Sequence, residues 1–254
     1  MVGAAIELLV QDLTIRYDND IALRVDKLEI RKNEIFGIIG PAGSGKTSFL
    51  NAINRMDEFN DSMNVQGSIN FGGLEVSRVK NVYALRKKIG VVFPLPVGLP
   101  LSIYENVALS PRLSGVKDKT KLDEIVERCL IRAALWEEVK DRLHQLGSLL
   151  SGGQQQRLTI ARALSQEPKL LLLDEFSIAV DPVTTMRIED VLKELKKEMT
   201  VVLVTNLVQQ VRRLSERTAF FLNGELVEVG ETEDFFTGVV EDQRTRDYVE
   251  GRFG

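Results

Sequence analysis

Gly40-Pro41-Ala42-Gly43-Ser44-Gly45-Lys46-Thr47 decides how the rest of the chain is read. The run fits the phosphate-loop pattern G-x-x-x-x-G-K-[ST] at every fixed position. Before it, Glu34-Ile35-Phe36-Gly37-Ile38-Ile39 predicts a buried strand; after it, Phe49, Leu50 and Ile53 recur at helical spacing. Strand, glycine loop, helix is the order that a polyphosphate site needs. Glycines let backbone N–H groups turn inward, and the helix start adds the positive end of its dipole. In such a loop Lys46 reaches the β- and γ-phosphates as a point charge and the Thr47 hydroxyl ligates Mg²⁺, with Ser48 beside it. The alternative is an accidental glycine-rich turn; the flanking strand and helix favour the nucleotide.

Composition narrows the class. The chain has 254 residues, 44% hydrophobic and 28% charged, which suits one compact domain with a sizeable core. A formal net charge of −4 leaves no basic footprint, so no nucleic-acid partner is expected. One cysteine, Cys129, excludes an internal disulfide, and the single histidine, His144, excludes a His-based zinc cluster. Cys129 falls on the apolar face of an expected helix, where packing is its role. No apolar run approaches the ~20 residues that span a bilayer. Residues 1–10 lack a basic region and are interrupted by Glu7, unlike a signal peptide. The expectation is a cytoplasmic protein that meets a membrane only through a partner.

In chain order, 6–17 and 21–30 predict strands around the polar turn Asp18-Asn19-Asp20. Tyr17 ends the first, where an aromatic ring either stacks on a nucleotide base or simply packs. Strands are expected at 65–71, before Gly72-Gly73, and at 89–93. Residues 94–104, first Pro94 and last Tyr104, hold three prolines and no Gln, Asn, Asp or Glu. Proline fixes φ and removes donors, so this is a stiff apolar segment, either a plain loop or a pocket for a partner. Ser102 and Glu105 form a candidate capping box. Leu122, Ile125, Val126, Cys129, Leu130 and Ala133 mark one helix face. Ser151-Gly152-Gly153-Gln154 then opens a helix over 155–164, a second candidate anion site. Strand 169–173 ends in Asp174-Glu175, carboxylates placed to position metal and water. Asp181-Pro182 starts another helix, 201–205 is a strand, and Asn223-Gly224 is a two-residue hairpin turn.

The phosphate loop, Leu150-Ser151-Gly152-Gly153-Gln154 and the strand ending Asp174-Glu175, in that order, resemble the ATP-binding subunits of ABC transporters across essentially the whole chain. The second motif is the specific one, since other P-loop ATPases lack it. Asn54-Arg55-Met56, the run from Leu101 to Val107, Ala133-Ala134-Leu135-Trp136 and Gln154-Gln155-Gln156-Arg157 are similar to the phosphate-specific importer. The stretch 217–224 and the ending 248–254 agree with that branch. The resemblance implies an α/β fold: a P-loop NTPase core of the ABC nucleotide-binding type, with an antiparallel β subdomain and an inserted helical subdomain. It implies a single ABC ATPase domain over 1–254, core and β subdomain in 1–93 and 165–254, coupling loop and helical subdomain in about 94–164. Two subunits, identical or paralogous, would sandwich ATP head to tail, one offering 40–47 and the other Ser151, Gly152, Gly153 and Gln154. Asp174 would hold Mg²⁺ through water, Glu175 would polarise the attacking water, Asp181 would contact across the dimer, and Tyr17 would stack on adenine. Permease subunits would dock on Pro94 through Tyr104, with Leu95, Val97, Leu99 and Tyr104 partly exposed, which places the chain on the cytoplasmic face of the membrane.

Two departures stand out. Where the family places a glutamine that contacts Mg²⁺ and the attacking water, this chain has Pro94, and no amide or acid follows until Glu105. Where the family places a histidine at the γ-phosphate, this chain has Asn206, which donates a hydrogen bond but carries no charge. Phe176 and Val180 replace a proline and a leucine and look like packing changes. The departures leave three readings: a working but slow ATPase, a regulatory or silent subunit that binds ATP and hardly hydrolyses, and a drifted copy that folds and does nothing; the first is favoured.

Overall fold

The computed structural model describes residues 5–95 and 98–252; Val97 lies outside them. The chain runs through β1 (Ile6–Tyr17), β2 (Asp20–Arg31), β3 (Ile35–Ile39), α1 (Lys46–Ile53), β4 (Met63–Phe71), β5 (Leu74–Glu75), α2 (Val82–Lys87) and β6 (Ile89–Val92). There follow α3 (Ile103–Leu113), α4 (Lys119–Arg132), α5 (Trp136–Val139), α6 (Gly152–Leu164), β7 (Leu170–Asp174) and α7 (Pro182–Leu195). The last part holds β8 (Thr200–Val204), α8 (Val208–Leu214), β9 (Arg217–Leu222), β10 (Glu225–Glu231), α9 (Thr232–Thr237) and α10 (Gln243–Val249). Two compact units result, one up to Arg86 and again from Met199, the other Lys87–Glu198.

In the first unit the strands lie in the order β5-β4-β1-β2-β10-β9-β3-β8. β1 alternates, with Leu8, Val10, Leu13 and Ile15 buried, so one face meets the core and the other meets water. It pairs antiparallel with β2 through the tight turn at Asp18-Asn19, Asp18 taking a left-handed φ of 50°. On its other edge it pairs with β4, and the Tyr17↔Met63 pairing starts β4 before the expected residue 65. β3 is different in kind. Every residue of it is buried, and it runs parallel to β8 on one side and β9 on the other, the position that calls for an unbroken apolar run. Asn223 and Gly224, with φ of 49° and 77°, turn β9 into β10 as expected.

In the second unit β6 and β7 pair in parallel, and helices α3 to α7 accompany them. α4 buries Leu122, Val126, Cys129 and Leu130, the stripe that its spacing predicts. Burial pushes the Cys129 thiol up to about 11, so it stays protonated and acts as a small apolar group. The capping box expected at α3 forms only by half. Ser102 Oγ accepts from Glu105 N at 3.1 Å, but the Glu105 carboxylate turns to Arg112 at 2.6 and 2.9 Å. The irregular segment also ends earlier than expected, because Ile103 and Tyr104 already belong to α3. Among the described residues no helix is long and apolar enough to cross a membrane.

Candidate nucleotide site

β3 delivers the chain into the loop at Gly40. A Cβ there would lie 2.1 Å from Phe221 O, so only glycine lets the strand end pass β9. At the other end Gly45 has a φ of 97°, and a Cβ on it would lie 2.6 Å from Ala22 O. Gly45 is also the N-cap of α1 and supplies no side chain to cap it, and no acidic residue occupies the first turn. The positive helix end therefore receives no carboxylate of its own. The Phe49 and Phe221 rings meet edge to face at 5.7 Å and hold α1 on β9.

Lys46 is 5% exposed and curls back into the loop. Its Nζ donates to Gly40 O at 2.9 Å, Pro41 O at 2.8 Å and Ser44 Oγ at 3.4 Å. An ammonium is thus held at the middle of the turn by carbonyl and hydroxyl oxygens. Pro41 and Ser48 are half-buried, Ser44 is buried, and Ala42, Gly43 and Thr47 are exposed. In the same unit Tyr17 stands half-buried at the end of β1, and Asn206 is exposed after β8, where Thr205 Oγ1 accepts from Leu207 N at 3.0 Å.

The second unit brings the other candidates to strand ends and helix starts. Asp174 closes β7 and is buried; Glu175 follows half-buried, in a left-handed turn with φ 43°. Asp181 caps α7 by accepting from Thr184 N at 3.0 Å, and the Thr184 hydrogen bonds hold its carboxyl below the usual range. Ser151 and Gln154 make the complete reciprocal box that starts α6. Gln154 N donates to Ser151 Oγ at 3.4 Å, and Ser151 N donates to Gln154 Oε1 at 3.1 Å. The box extends the helix three residues earlier than expected, to Gly152. Ser151 and Gly152 are exposed, and the Ser151 hydroxyl keeps its own hydrogen to donate. Gly153 is buried, and a Cβ there would meet Thr184 Cγ2 at 2.6 Å.

Three residues that sequence reasoning left without a role organise this motif. Glu138 on α5 accepts from Gln154 Nε2 at 2.8 Å and takes both Arg157 Nη1 at 2.7 Å and Nη2 at 3.1 Å. Arg157, 3% exposed, also donates to Ala134 O at 2.6 Å. That fork holds the Glu138 carboxyl below the usual range. Gln156 is fully buried beside them. The run Gln154-Gln155-Gln156-Arg157 was visible as a motif, but Glu138 is distant in sequence and carried no signal.

The residues fit a nucleotide with Mg²⁺. The glycine cradle, the uncapped helix start and the central ammonium all suit a polyphosphate. Among the described residues no group of three or more His, Cys, Asp or Glu could hold a metal unaided. Thr47 and Asp174 each offer oxygen, the ligand atom that Mg²⁺ prefers.

The ABC transporter family model matches residues 23–177. The chain is similar in structure to cbiO1 of Clostridium perfringens, part of the ABC transporter complex cbiONQ, with a TM-score of 0.81, 24% identity and coverage of 92% of this chain and 91% of that one. The ATP-binding cassette MJ0796, dimeric in a post-hydrolysis state with ADP and Pi, matches with a TM-score of 0.77 and 29% identity over 89% of this chain and 98% of that one. A bacterial Atm1-family ABC exporter with ATP bound matches with a TM-score of 0.82 and 21% identity over 100% of this chain but only 43% of that one. The fold is the mixed α/β one of ABC nucleotide-binding domains, with its antiparallel β part and helical region. The chain belongs to the ABC transporter family, as an ATP-binding subunit.

Proposed function

We propose that the chain hydrolyses ATP and energises an importer, working as a head-to-tail pair with a second copy or a paralogue. The observation that carries this is the loop 40–47, with Lys46 buried at its centre and α1 uncapped behind it. A cassette similar to this chain is dimeric with ADP and Pi, and cbiO1 is part of a transporter complex. The dimer favours pairing, and the transporter complex favours a membrane partner. Inorganic phosphate is the ion we assign, supported by the short runs at 54–56, 101–107 and 133–136.

In this mechanism Lys46 releases the loop carbonyls and takes β- and γ-phosphate oxygens, and N–H groups at the start of α1 face the same charge. Mg²⁺, when bound, would supply positive charge against the phosphates. Thr47 and Asp174 would hold that cation, Tyr17 would stack on the base, and Glu175 would orient water and accept its proton. Ser151, Gly152, Gly153 and Gln154 of a facing subunit close on the γ-phosphate, the exposed Ser151 hydroxyl donating, and Asp181 lies at the same junction. Asn206 donates a hydrogen bond in place of a charge. We take 1–93 and 165–254 as core and β subdomain, and about 94–164 as coupling loop and helical subdomain, of one ATPase domain.

We assign the permease surface to 94–104. Leu95 is 66% exposed, Leu99 is half-buried, and the exposed Leu146 and Leu149 stand beside the segment, where Gly147 N donates to Leu101 O at 2.9 Å. Buried Asn106 shapes it, accepting from Leu99 N at 2.9 Å and donating to Leu101 O at 3.1 Å. Tyr104 is half-buried and donates to Asp123 at 2.7 Å; burial and that carboxylate push its phenol up to about 12. It serves as the rim of the surface. Docking there puts the subunit on the cytoplasmic face of the membrane.

A hydrolysis-poor regulatory paralogue is the second reading. Pro94 favours it, having no polar side chain and no N–H, as does the neutral Asn206. Assembly separates the pairing from its absence. Glu175→Gln protein is expected to sediment as a monomer without nucleotide and as a dimer with saturating Mg-ATP. A monomer in both conditions contradicts the pairing.

A further inference from the structure

Gln156 has none of its surface exposed, yet it sits on α6 without using its side chain for the helix. Its Nε2 donates to Phe176 O at 2.8 Å and to Phe93 O at 3.3 Å. Phe176 directly follows Glu175, and Phe93 directly precedes Pro94. One amide therefore spans the ends of β6 and β7, where each strand gives way to loop. Its Oε1 has no hydrogen-bond partner. A buried, unmatched acceptor costs stability, so the position gains only from what Nε2 holds.

What it holds is a turn under strain. Glu175 has a φ of 43°, a conformation that a residue with a Cβ keeps only when its surroundings impose it. Two of the described hydrogen bonds act on it: Ile178 N to Glu175 O at 3.1 Å, and Gln156 Nε2 to Phe176 O at 2.8 Å. The other end of the amide reaches an exposed surface. Phe93 is 50% and Leu95 66% exposed, so a partner seated there pulls on the carbonyl that Gln156 grips. The bond to Phe93 is the longer of the two and is the one that yields first.

We propose that Gln156 is a positioning residue that fixes the left-handed turn carrying Glu175 and ties it to the start of segment 94–104. A shift of that segment is then felt at the Glu175 carboxylate without passing through the nucleotide loop. The proposal rests on the reading of Glu175 as the group that polarises water. It differs from a packing role in what it predicts, because an apolar side chain of equal volume packs as well but holds neither carbonyl.

The test compares wild type, Gln156→Met and Gln155→Met in purified full-length protein. Gln155 is the control for an amide that touches 94–104 but neither Phe93 O nor Phe176 O: its Nε2 donates to Ser148 O at 3.2 Å and Leu150 O at 2.8 Å, and its Oε1 accepts from Gly98 N at 3.4 Å. Amide hydrogen exchange is read over 92–95 and 175–178, with steady-state phosphate release alongside. In Gln156→Met both segments are expected to exchange ~10-fold faster together, while kcat falls ~10–10²-fold and KM for ATP stays within about twofold. Gln155→Met is expected to match wild type in all three. Gln156→Asn, which keeps the amide but is too short to reach both carbonyls, is expected to follow Gln156→Met and serves if the latter fails to fold. Faster exchange in neither segment, or in one alone, overturns the clamp; joint loosening with unchanged kcat overturns its catalytic meaning. Failure of the parent reading looks different: turnover then does not depend on Glu175, whereas the exchange data still decide whether Gln156 joins the two strand ends.

Discussion

Replacing Lys46 by alanine is expected to weaken Mg-ATP binding by ~10–10²-fold, read by calorimetry. The ammonium is buried at the centre of the loop and already satisfied by Gly40 O, Pro41 O and Ser44 Oγ. Phosphate oxygens replace neutral acceptors with charged ones, and a hydrogen bond between charged groups contributes ~1.5–3 kcal/mol net, which corresponds to that range of affinity. Alanine also leaves the loop carbonyls without their donor, at ~1–3 kcal/mol of stability. A melting curve of the variant separates the two effects, because a folded variant that does not bind has lost the charge contact itself. Equal affinity in wild type and Lys46→Ala contradicts the assignment of the loop.

Turnover is expected to rise when the two departures are reversed. Asn206→His supplies a donor that can also carry charge, and Pro94→Gln restores a side-chain amide next to the end of β6. Binding depends on the loop and on base stacking and should hardly change. The chemical step depends on keeping water, Mg²⁺ and γ-phosphate in line, and one such group is typically worth ~10²-fold or more. The double variant should gain more than either single change, though less than the product, because both groups serve one transition state. Initial phosphate release at saturating Mg-ATP measures this. A wild type already as fast as the double variant shows that Pro94 and Asn206 are neutral here.

The parts of the fold legible in the sequence are those where local chemistry and position agree. β3 reads as a central strand because it is apolar throughout, and the loop reads because Gly40 and Gly45 occupy backbone shapes that a Cβ would block. Strand limits drifted where a neighbour set them. β4 starts at Met63 because Tyr17 pairs with it, and β6 stops at Val92, the Phe93 carbonyl going to Gln156 instead. The short helices α9 and α10 carry too few turns to show a period. The candidate site divides in the same way. Its loop, its Ser151 box and its Asp174-Glu175 pair are contiguous motifs and could be listed from the sequence alone. Their supports could not, because Glu138 grips Gln154 and Arg157 from another helix and Gln156 joins two strand ends. Such contacts depend on how elements pack, which no local pattern encodes.

Steady-state hydrolysis of Mg-ATP by purified wild type and by Glu175→Gln tests the central claim most directly. The account predicts slow but measurable phosphate release by wild type, falling to background in Glu175→Gln while ATP binding is retained. Equal rates in the two proteins, or no release by wild type under conditions where it binds ATP and dimerises, would contradict it.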